Sequence, residues 1–426
     1  DNPNRMQMHF QFQVILKPEP GNPQELYLQS LEALGIDRRQ HDLRFVGDNW
    51  ESPALGAWGL GWEVWMDGQE ISQYTYFQQA GGFALDPVSV ELTYGLERIV
   101  MALQRVRSVW EIDWDGLNTY GDILLRAEIE HCTYDFEIAN VERLAQMYNL
   151  FEDEAKACLE KGLVIPAHDY VLRCSHTFNL LDARGAIGVT ERAHYFTRMR
   201  NLSRQVVRTH AELREQLGYP LLREQPPPLP QAPPLNEAEL SPRAETFLLE
   251  IGTEELPARD LTDALDQLRE RVPTLLDELR LSHGAVHVEG TPRRLAVVVD
   301  ALAPRQPDRE LTIKGPPATR AYDEQDNPTR AAEGFARSRG VSVDDLQVRE
   351  LEGGQYVVAL VRKEGRLAGQ VLVETLPDLI ASLTFGKSMR WNASGVVFSR
   401  PIRWFVCLLG DAALPFAVTV KSINCV

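Results

Sequence analysis

Thr93-Tyr94-Gly95-Leu96-Glu97-Arg98-Ile99-Val100 is the stretch on which the fold of this chain turns. A β-type run, Val88 to Leu92, leads into it, and one glycine hands the backbone to a helix that carries Arg98 in its first turn. Helix N-terminal amides and a planar guanidinium both favour phosphate and can flank a flat ring, provided that a glycine lets the backbone come close. The same spacing also fits a surface arginine paired with a neighbouring carboxylate. Both readings stay open on this stretch alone.

Upstream, Met8 to Ile15 has the period of two that marks a strand. His9, Gln11 and Gln13 share one face, and Phe10, Phe12 and Val14 share the other. Carboxamides side by side on a sheet face suit a small polar ligand; an edge strand with its polar face in water is the alternative. Trp62 to Met66 and Ile71 to Gln79, separated by Asp67-Gly68, read as a hairpin. At the start of its second strand, Glu70 and Gln73 stand three apart, where a carboxylate could hold Mg²⁺ bridging phosphates, since that ion takes one or two carboxylates and several waters. A solvated glutamate is the plainer reading.

Downstream the pattern changes. From about Tyr120 to Leu217 the apolar period is helical, and Thr190 to Leu217 places Arg200, Arg204 and Arg208 at i, i+4 and i+8 on one face. Gln225 to Pro234 is Pro-rich and reads as a stiff, extended spacer. Beyond it, Thr246 to Ile251 and Arg294 to Val299 are strand-like and Ala258 to Leu281 is an amphipathic helix. Two basic clusters, Pro292-Arg293-Arg294 and Phe385 to Arg390, fit either RNA contacts or ordinary surface.

With 426 residues, 44% hydrophobic and 25% charged, the chain is long enough for two or three cores. Its net charge of -17 disfavours broad, non-specific nucleic-acid binding but leaves room for a local basic strip. No run reaches the roughly 18 apolar residues of a membrane span, and Asp1 to Arg5 has no apolar signal core, so the expected location is cytoplasmic. The 5 cysteines are scattered, with no C-x-x-C pair, so reduced thiols are expected rather than a disulfide framework or a zinc site.

Several segments together resemble class II aminoacyl-tRNA synthetases, and within them the bacterial-type glycyl-tRNA synthetases. Asp1 to Lys17, Asp48 to Glu51, Leu55 to Trp65, Tyr74 to Gly82, Thr93 to Val100 and Asn179 to Ala186 are similar to the α subunit. Phe247 to Pro257, Pro292 to Ala296, Lys314 to Pro316 and Ala331 to Ala336 are similar to the start of the β subunit, which implies an αβ fusion joined at the Pro-rich spacer. The implied fold is α+β: a class II antiparallel sheet with flanking helices over 1–118, a helical appendage over 119–220, a linker over 221–244, and an α+β, β-subunit-like unit over 245–426.

The resemblance further implies ATP as substrate with Mg²⁺, glycine and its tRNA as the other partners, and a homodimer through the α-like half, equivalent to α₂β₂. Met8 to Lys17 would be the second strand of motif 2, and Gly95 to Arg98 would be motif 3. Arg98 and His9, or Phe10 if the strand is bulged, would sandwich the adenine; Arg5 would reach a phosphate; Glu70 and Gln73 would hold Mg²⁺ and the α-phosphate. Gln11, Gln13, Trp50, Glu91 and Thr93 would line the glycine pocket, with Glu91 on the ammonium and Trp50 closing the space that an alanine methyl needs. Apart from the resemblance, the shared face of Arg200, Arg204 and Arg208 fits contacts to tRNA phosphates or, with Glu191, Glu212 and Glu215 nearby, a solvated or interface-packed helix face. Motif 1 and the first motif 2 strand would precede Asp1, and the rest of the β subunit would follow Val426, so this segment by itself is expected to be inactive. A synthetase-like module without catalysis, and an amide ligase acting without tRNA, are the competing readings.

Overall fold

Runs of alternating apolar residues fold into strands, and the longest of them meet in one antiparallel sheet. The computed structural model describes residues 4–222, 231–323, 325–351 and 353–419; most of the Pro-rich spacer, at 223–230, lies outside the described residues, as does Cys425. In chain order the first part contains β1 (Gln11–Leu16), α1 (Pro23–Ala33), β2 (Leu43–Asp48), β3 (Glu51–Ser52), β4 (Ala57–Met66), β5 (Gln69–Ala80), β6 (Phe83–Gly95) and α2 (Leu96–Gln104). The strands lie in the order β1-β6-β5-β4-β2, with β3 paired to β4. Then come α3 (Tyr120–Thr133), α4 (Val141–Glu160), α5 (Val164–Ala183) and α6 (Val189–Gln216).

The second part contains β7 (Glu245–Thr253), α7 (Ala258–Glu278), β8 (Val286–Thr291), β9 (Arg294–Leu302), β10 (Arg309–Pro317), α8 (Ala318–Ala321) and α9 (Arg330–Arg339). β11 (Gln347–Leu351), β12 (Gly354–Lys363), α10 (Ala368–Ala381), β13 (Ile402–Leu409) and β14 (Ala412–Ala413) complete it. One sheet has the order β14-β13-β7-β9-β8 and a smaller one β10-β12-β11. The protein is thus α+β, helices against antiparallel sheets.

Local chemistry sets the boundaries. Asp67 and Gly68, both at positive φ (52° and 87°), make the tight turn between β4 and β5. β4 begins earlier than its apolar run predicts because Gly59 and Gly61 lie close to β5: a Cβ on Gly61 would stand 1.9 Å from the Tyr74 carbonyl oxygen. β1 begins later than the alternation predicts, at Gln11 instead of Met8. The amides before it are taken by side chains: Gln7 N–H donates to Glu128 Oε1 at 2.6 Å and Phe10 N–H to Glu97 Oε1 at 2.7 Å.

Both faces of β5 are covered, which a simple alternating reading does not anticipate. On one face Tyr74 and Tyr76 are fully buried against the second part of the chain. A single apolar cluster runs from Tyr27, Leu31, Trp62 and Tyr74 to Phe247, Leu268, Leu295 and Phe398. Trp62 stacks on Tyr74 with centroids 5.1 Å apart and donates its indole N–H to the Glu255 carbonyl at 3.0 Å. At the centre of this contact Glu254, 1% exposed, accepts from Tyr76 Oη at 3.0 Å and from Arg403 Nε at 2.9 Å. Arg403 also pairs with Glu19 at 2.8 Å. Within the segment expected as a linker, Leu235 and Leu240 pack against the same cluster.

The helical part has its own core, in which Leu144, Tyr148, Val171, Cys174, Met199 and Leu202 meet Ala54 from the β3–β4 connection. α6 lies along the tips of the sheet hairpins, where Ser203 Oγ donates to the Ala54 carbonyl at 3.1 Å. Burial pushes the Cys174 and Cys407 thiols up to about 12, so they stay protonated at neutral pH, and among the described residues no cysteine is in a disulfide. Among the described residues no helix is long and apolar enough to cross a membrane.

Candidate active site

Gly95 joins β6 to α2 in extended conformation, φ −83° and ψ 98°. A Cβ there would approach the Ile71 carbonyl oxygen to 3.1 Å, so the glycine lets the start of α2 lie against β5. That proximity brings Arg98 to β5, where its Nη1 donates to the Glu70 carbonyl at 2.8 Å and to Glu70 Oε2 at 2.9 Å. The arginine is therefore both at a strand-to-helix junction and paired with a carboxylate. The contact present is the carboxylate pair of the second reading.

A cavity of about 330 Å³ opens beside this pair. Its walls include Arg5, His9, Gln11, Glu70, Gln73, Thr93 and Arg98, gathered from the segment before β1 and from β1, β5, β6 and α2. Strand register explains the gathering: Gln13 faces Thr93, Thr93 faces Gln73, and Gln73 faces Glu63, a polar row straight across the sheet. One step along, Glu91 stands opposite Ile15 and Thr75. Burial raises the Glu91 carboxyl above its ordinary range, with a hydrogen bond from Thr93 pulling the other way.

Four of the residues expected at ATP or glycine stay off the walls of this cavity. Phe10 is 45% exposed and its side chain is not among the lining groups. Gln13 shares the row of Thr93 and Gln73 but is not among the lining groups, Glu91 stands in the next row on that face, and Trp50 packs its ring on Phe77 at 5.0 Å, edge to face. Arg200 lines a different cavity, with Lys387. Arg204 and Arg208 are exposed on α6 and line neither cavity.

Glu97 has no role in the sequence reading, yet it joins the site together. It is 6% exposed, and its Oε1 accepts from Phe10 N–H at 2.7 Å and from Tyr120 Oη at 2.8 Å. With Glu128 on α3 it clamps residues 7–10, the segment that presents His9 to the cavity. The only sequence signal is an acidic residue in a helix's first turn, which the helix dipole explains without any contact to β1. We predict that Glu97→Ala destabilises the protein by about 1–3 kcal/mol and speeds amide exchange at Phe10, because the Phe10 N–H and the Tyr120 hydroxyl are left unpaired. Urea unfolding and hydrogen exchange check it, and an unchanged midpoint with unchanged exchange at Phe10 would refute it.

The sheet and its cavity can be set beside known sequences. The profile of the glycyl-tRNA synthetase alpha subunit matches residues 1–215, and that of the beta subunit matches residues 247–425. This chain belongs to the glycyl-tRNA synthetase family. Alpha-type and beta-type sequence follow each other on one glycyl-tRNA synthetase polypeptide, in that order. A chloroplastic/mitochondrial glycine–tRNA ligase of Arabidopsis thaliana is 53% identical over 100% of this chain and 40% of its own length. Glycine–tRNA ligases of Chlamydia muridarum and Chlamydia pneumoniae are 42% and 40% identical over 99% and 98% of the chain, and over 43% and 42% of their own lengths. The chain thus spans about two fifths of the length of the curated relatives it matches.

Proposed function

We propose that this chain is the catalytic portion of a class II glycine–tRNA ligase, which joins glycine to ATP as glycyl-adenylate and passes the glycyl group to the 3′ end of its tRNA. The observation that carries the reading is the one cavity into which Arg5, His9, Gln11, Glu70, Gln73, Thr93 and Arg98 converge, in a chain of this family. In the reaction the glycine carboxylate attacks the α-phosphorus and pyrophosphate leaves; the tRNA hydroxyl then attacks the adenylate carbonyl. No protein nucleophile is needed. The residues position groups and neutralise charge.

His9 is assigned opposite Arg98 across the adenine in preference to Phe10, because His9 lines the cavity and Phe10 does not. Arg5, an exposed lining residue of the cavity, is assigned to a phosphate. Arg98 and Glu70 neutralise each other at 2.9 Å, and nucleotide entry gives each a new partner: the phosphates and adenine for Arg98, Mg²⁺ for Glu70. Glu70 with Gln73 fits an ion that arrives on the nucleotide, since Mg²⁺ needs only one or two carboxylates from protein. Among the described residues no cluster of three or more acidic, His or Cys side chains forms a self-sufficient metal cage. Mg²⁺ would supply charge neutralisation on the phosphates.

For glycine, Gln11, Gln13 and Thr93 offer polar contacts, Glu91 takes the ammonium, and Trp50, braced on Phe77, excludes larger side chains. Clashes of that kind cost about 1–3 kcal/mol each. The division into a sheet unit at 1–118, a helical appendage at 119–220 and a β-like unit from 245 belongs to this proposal, as do a homodimer through the α-like half and a cytoplasmic location. Phe12, exposed on the edge strand β1, supports a covered surface in such an assembly.

The test is ATP–pyrophosphate exchange by the full-length enzyme. It should require glycine, and its KM for glycine should climb as pH falls through the raised pKa of Glu91, because only the ionised carboxylate pairs with the ammonium. Glu91→Gln should remove that acid limb and raise the glycine KM throughout. Exchange indifferent to glycine, or an unchanged limb in the variant, defeats the respective assignment.

A further inference from the structure

Two basic clusters that lie far apart in sequence meet in the fold. Lys387, in the loop after α10, and Arg200, on α6, line one cleft of about 510 Å³ between the sheet hairpins, the helical part and the β-like part. Trp58 and Gln79 line it from β4 and β5, Trp58 half-buried against the core. Close packing at hairpin-tip glycines places the helix there: Arg200 Cγ lies 3.5 Å from where a Cβ on Gly56 would be, and Arg204 Cδ 3.9 Å from the equivalent point on Gly82.

We infer that this cleft is a binding site for a single-stranded RNA segment, its phosphates on Arg200 and Lys387 in the cleft wall and on Arg204 beside its Gly82 edge, and a base against Trp58. Arg200 Nε donates to the Pro53 carbonyl at 3.1 Å, which fixes the guanidinium while its Nη groups have no partner among the described residues. Arg204 and Arg208 follow at one-turn intervals, about 6 Å each, exposed and without an acidic partner among the described residues. Lys387 pairs with Glu51 at 2.8 Å, but both side chains are about half exposed, so a phosphate can displace that carboxylate. Cations in a row beside a flat indole are what a single strand uses, backbone on the charges and base on the ring. On a protein of net charge -17, such a row also draws a polyanion to one place.

The cleft stands apart from the cavity at Arg98. Gln73 and Gln79 are separated along β5 by about 20 Å at ~3.3 Å per residue. Contacts in the cleft therefore act on RNA and leave amino-acid activation alone. The identity of the RNA as tRNA rests on the function proposed above; the RNA site itself does not.

The test compares the full-length enzyme with Arg204→Ala and with the double variant Arg204→Ala/Lys387→Ala. Glycine-dependent exchange, which uses no tRNA, should stay within twofold. The KM for glycine tRNA in charging should rise roughly 5- to 30-fold in the double variant, and the salt dependence of binding a short single-stranded RNA should flatten by about 1.4 in log–log slope. Unchanged tRNA KM and salt slope would overturn the inference. So would an equal loss of exchange and charging in both variants, or a loss of affinity for an acidic protein with RNA binding intact. Wild-type enzyme without glycine-dependent exchange refutes the ligase reading instead, while the oligonucleotide measurement still decides the cleft.

Discussion

Arg98→Ala lowers glycine-dependent exchange by roughly 10²–10³, the loss typical of one preorganised charge-stabilising donor. The Arg98 side chain is 21% exposed and anchored on β5 through the Glu70 backbone and carboxylate, so it is already oriented for the proposed nucleotide. Removing it takes away one wall of the proposed adenine site and leaves the Glu70 carboxylate without its counter-charge where the phosphates are proposed to enter. Arg98→Lys restores the charge but not the plane or the fork, and should recover only a small part of the rate. Because the Arg98–Glu70 pair is partly solvated, it adds little to folding. Urea midpoints of the variants should therefore match wild type, and exchange within threefold of wild type in the alanine variant would end the assignment.

Arg403→Met destabilises the protein by about 3–5 kcal/mol, the cost of stranding buried charge. Arg403 is the cation shared by Glu19 and Glu254, whose side chains are 2% and 1% exposed. Burial raises the Glu254 carboxyl above its usual range, with the Arg403 charge opposing. In the variant that opposition is gone and the folded state holds the proton more tightly than the unfolded chain. Stability conferred by a raised pKa is present at low pH and lost as pH rises through it, so the deficit should shrink towards acid and be largest at neutral pH. Glu254→Gln added to Arg403→Met should recover part of the loss. Urea unfolding across pH checks both, and a deficit independent of pH would show that the charge network is not its source.

Much of the site was legible because strand periodicity places residues on a face regardless of what the face meets. Gln11 on one strand, Gln73 on another and Thr93 on a third needed only correct alternation and antiparallel pairing to converge, whereas His9, just ahead of β1, is held at the candidate site by the clamp on residues 7–10. Glu97 was not legible. A helix-start glutamate carries the same local pattern whether it meets water or, as here, the Phe10 amide and Tyr120 hydroxyl. The contact of Arg200 and Lys387 with one cleft was equally hidden, since nothing local connects residues on α6 with a loop of the β-like part.

The sequence by itself determined the strands, the Asp67-Gly68 turn, the Gly95 junction and the polar face that bears the site, because these follow from period, propensity and the steric freedom of glycine. Tertiary structure decided what the other face of the sheet is for. Tyr74 and Tyr76 could have been an exposed aromatic row or a core; burial with Glu254 and Arg403 makes them the contact that joins the alpha-type and beta-type sequence into one apolar cluster. Burial and charge pairing depend on which surfaces meet across some 180 residues of chain, as from Tyr76 to Glu254, where |i−j| is 178. No local pattern encodes that meeting.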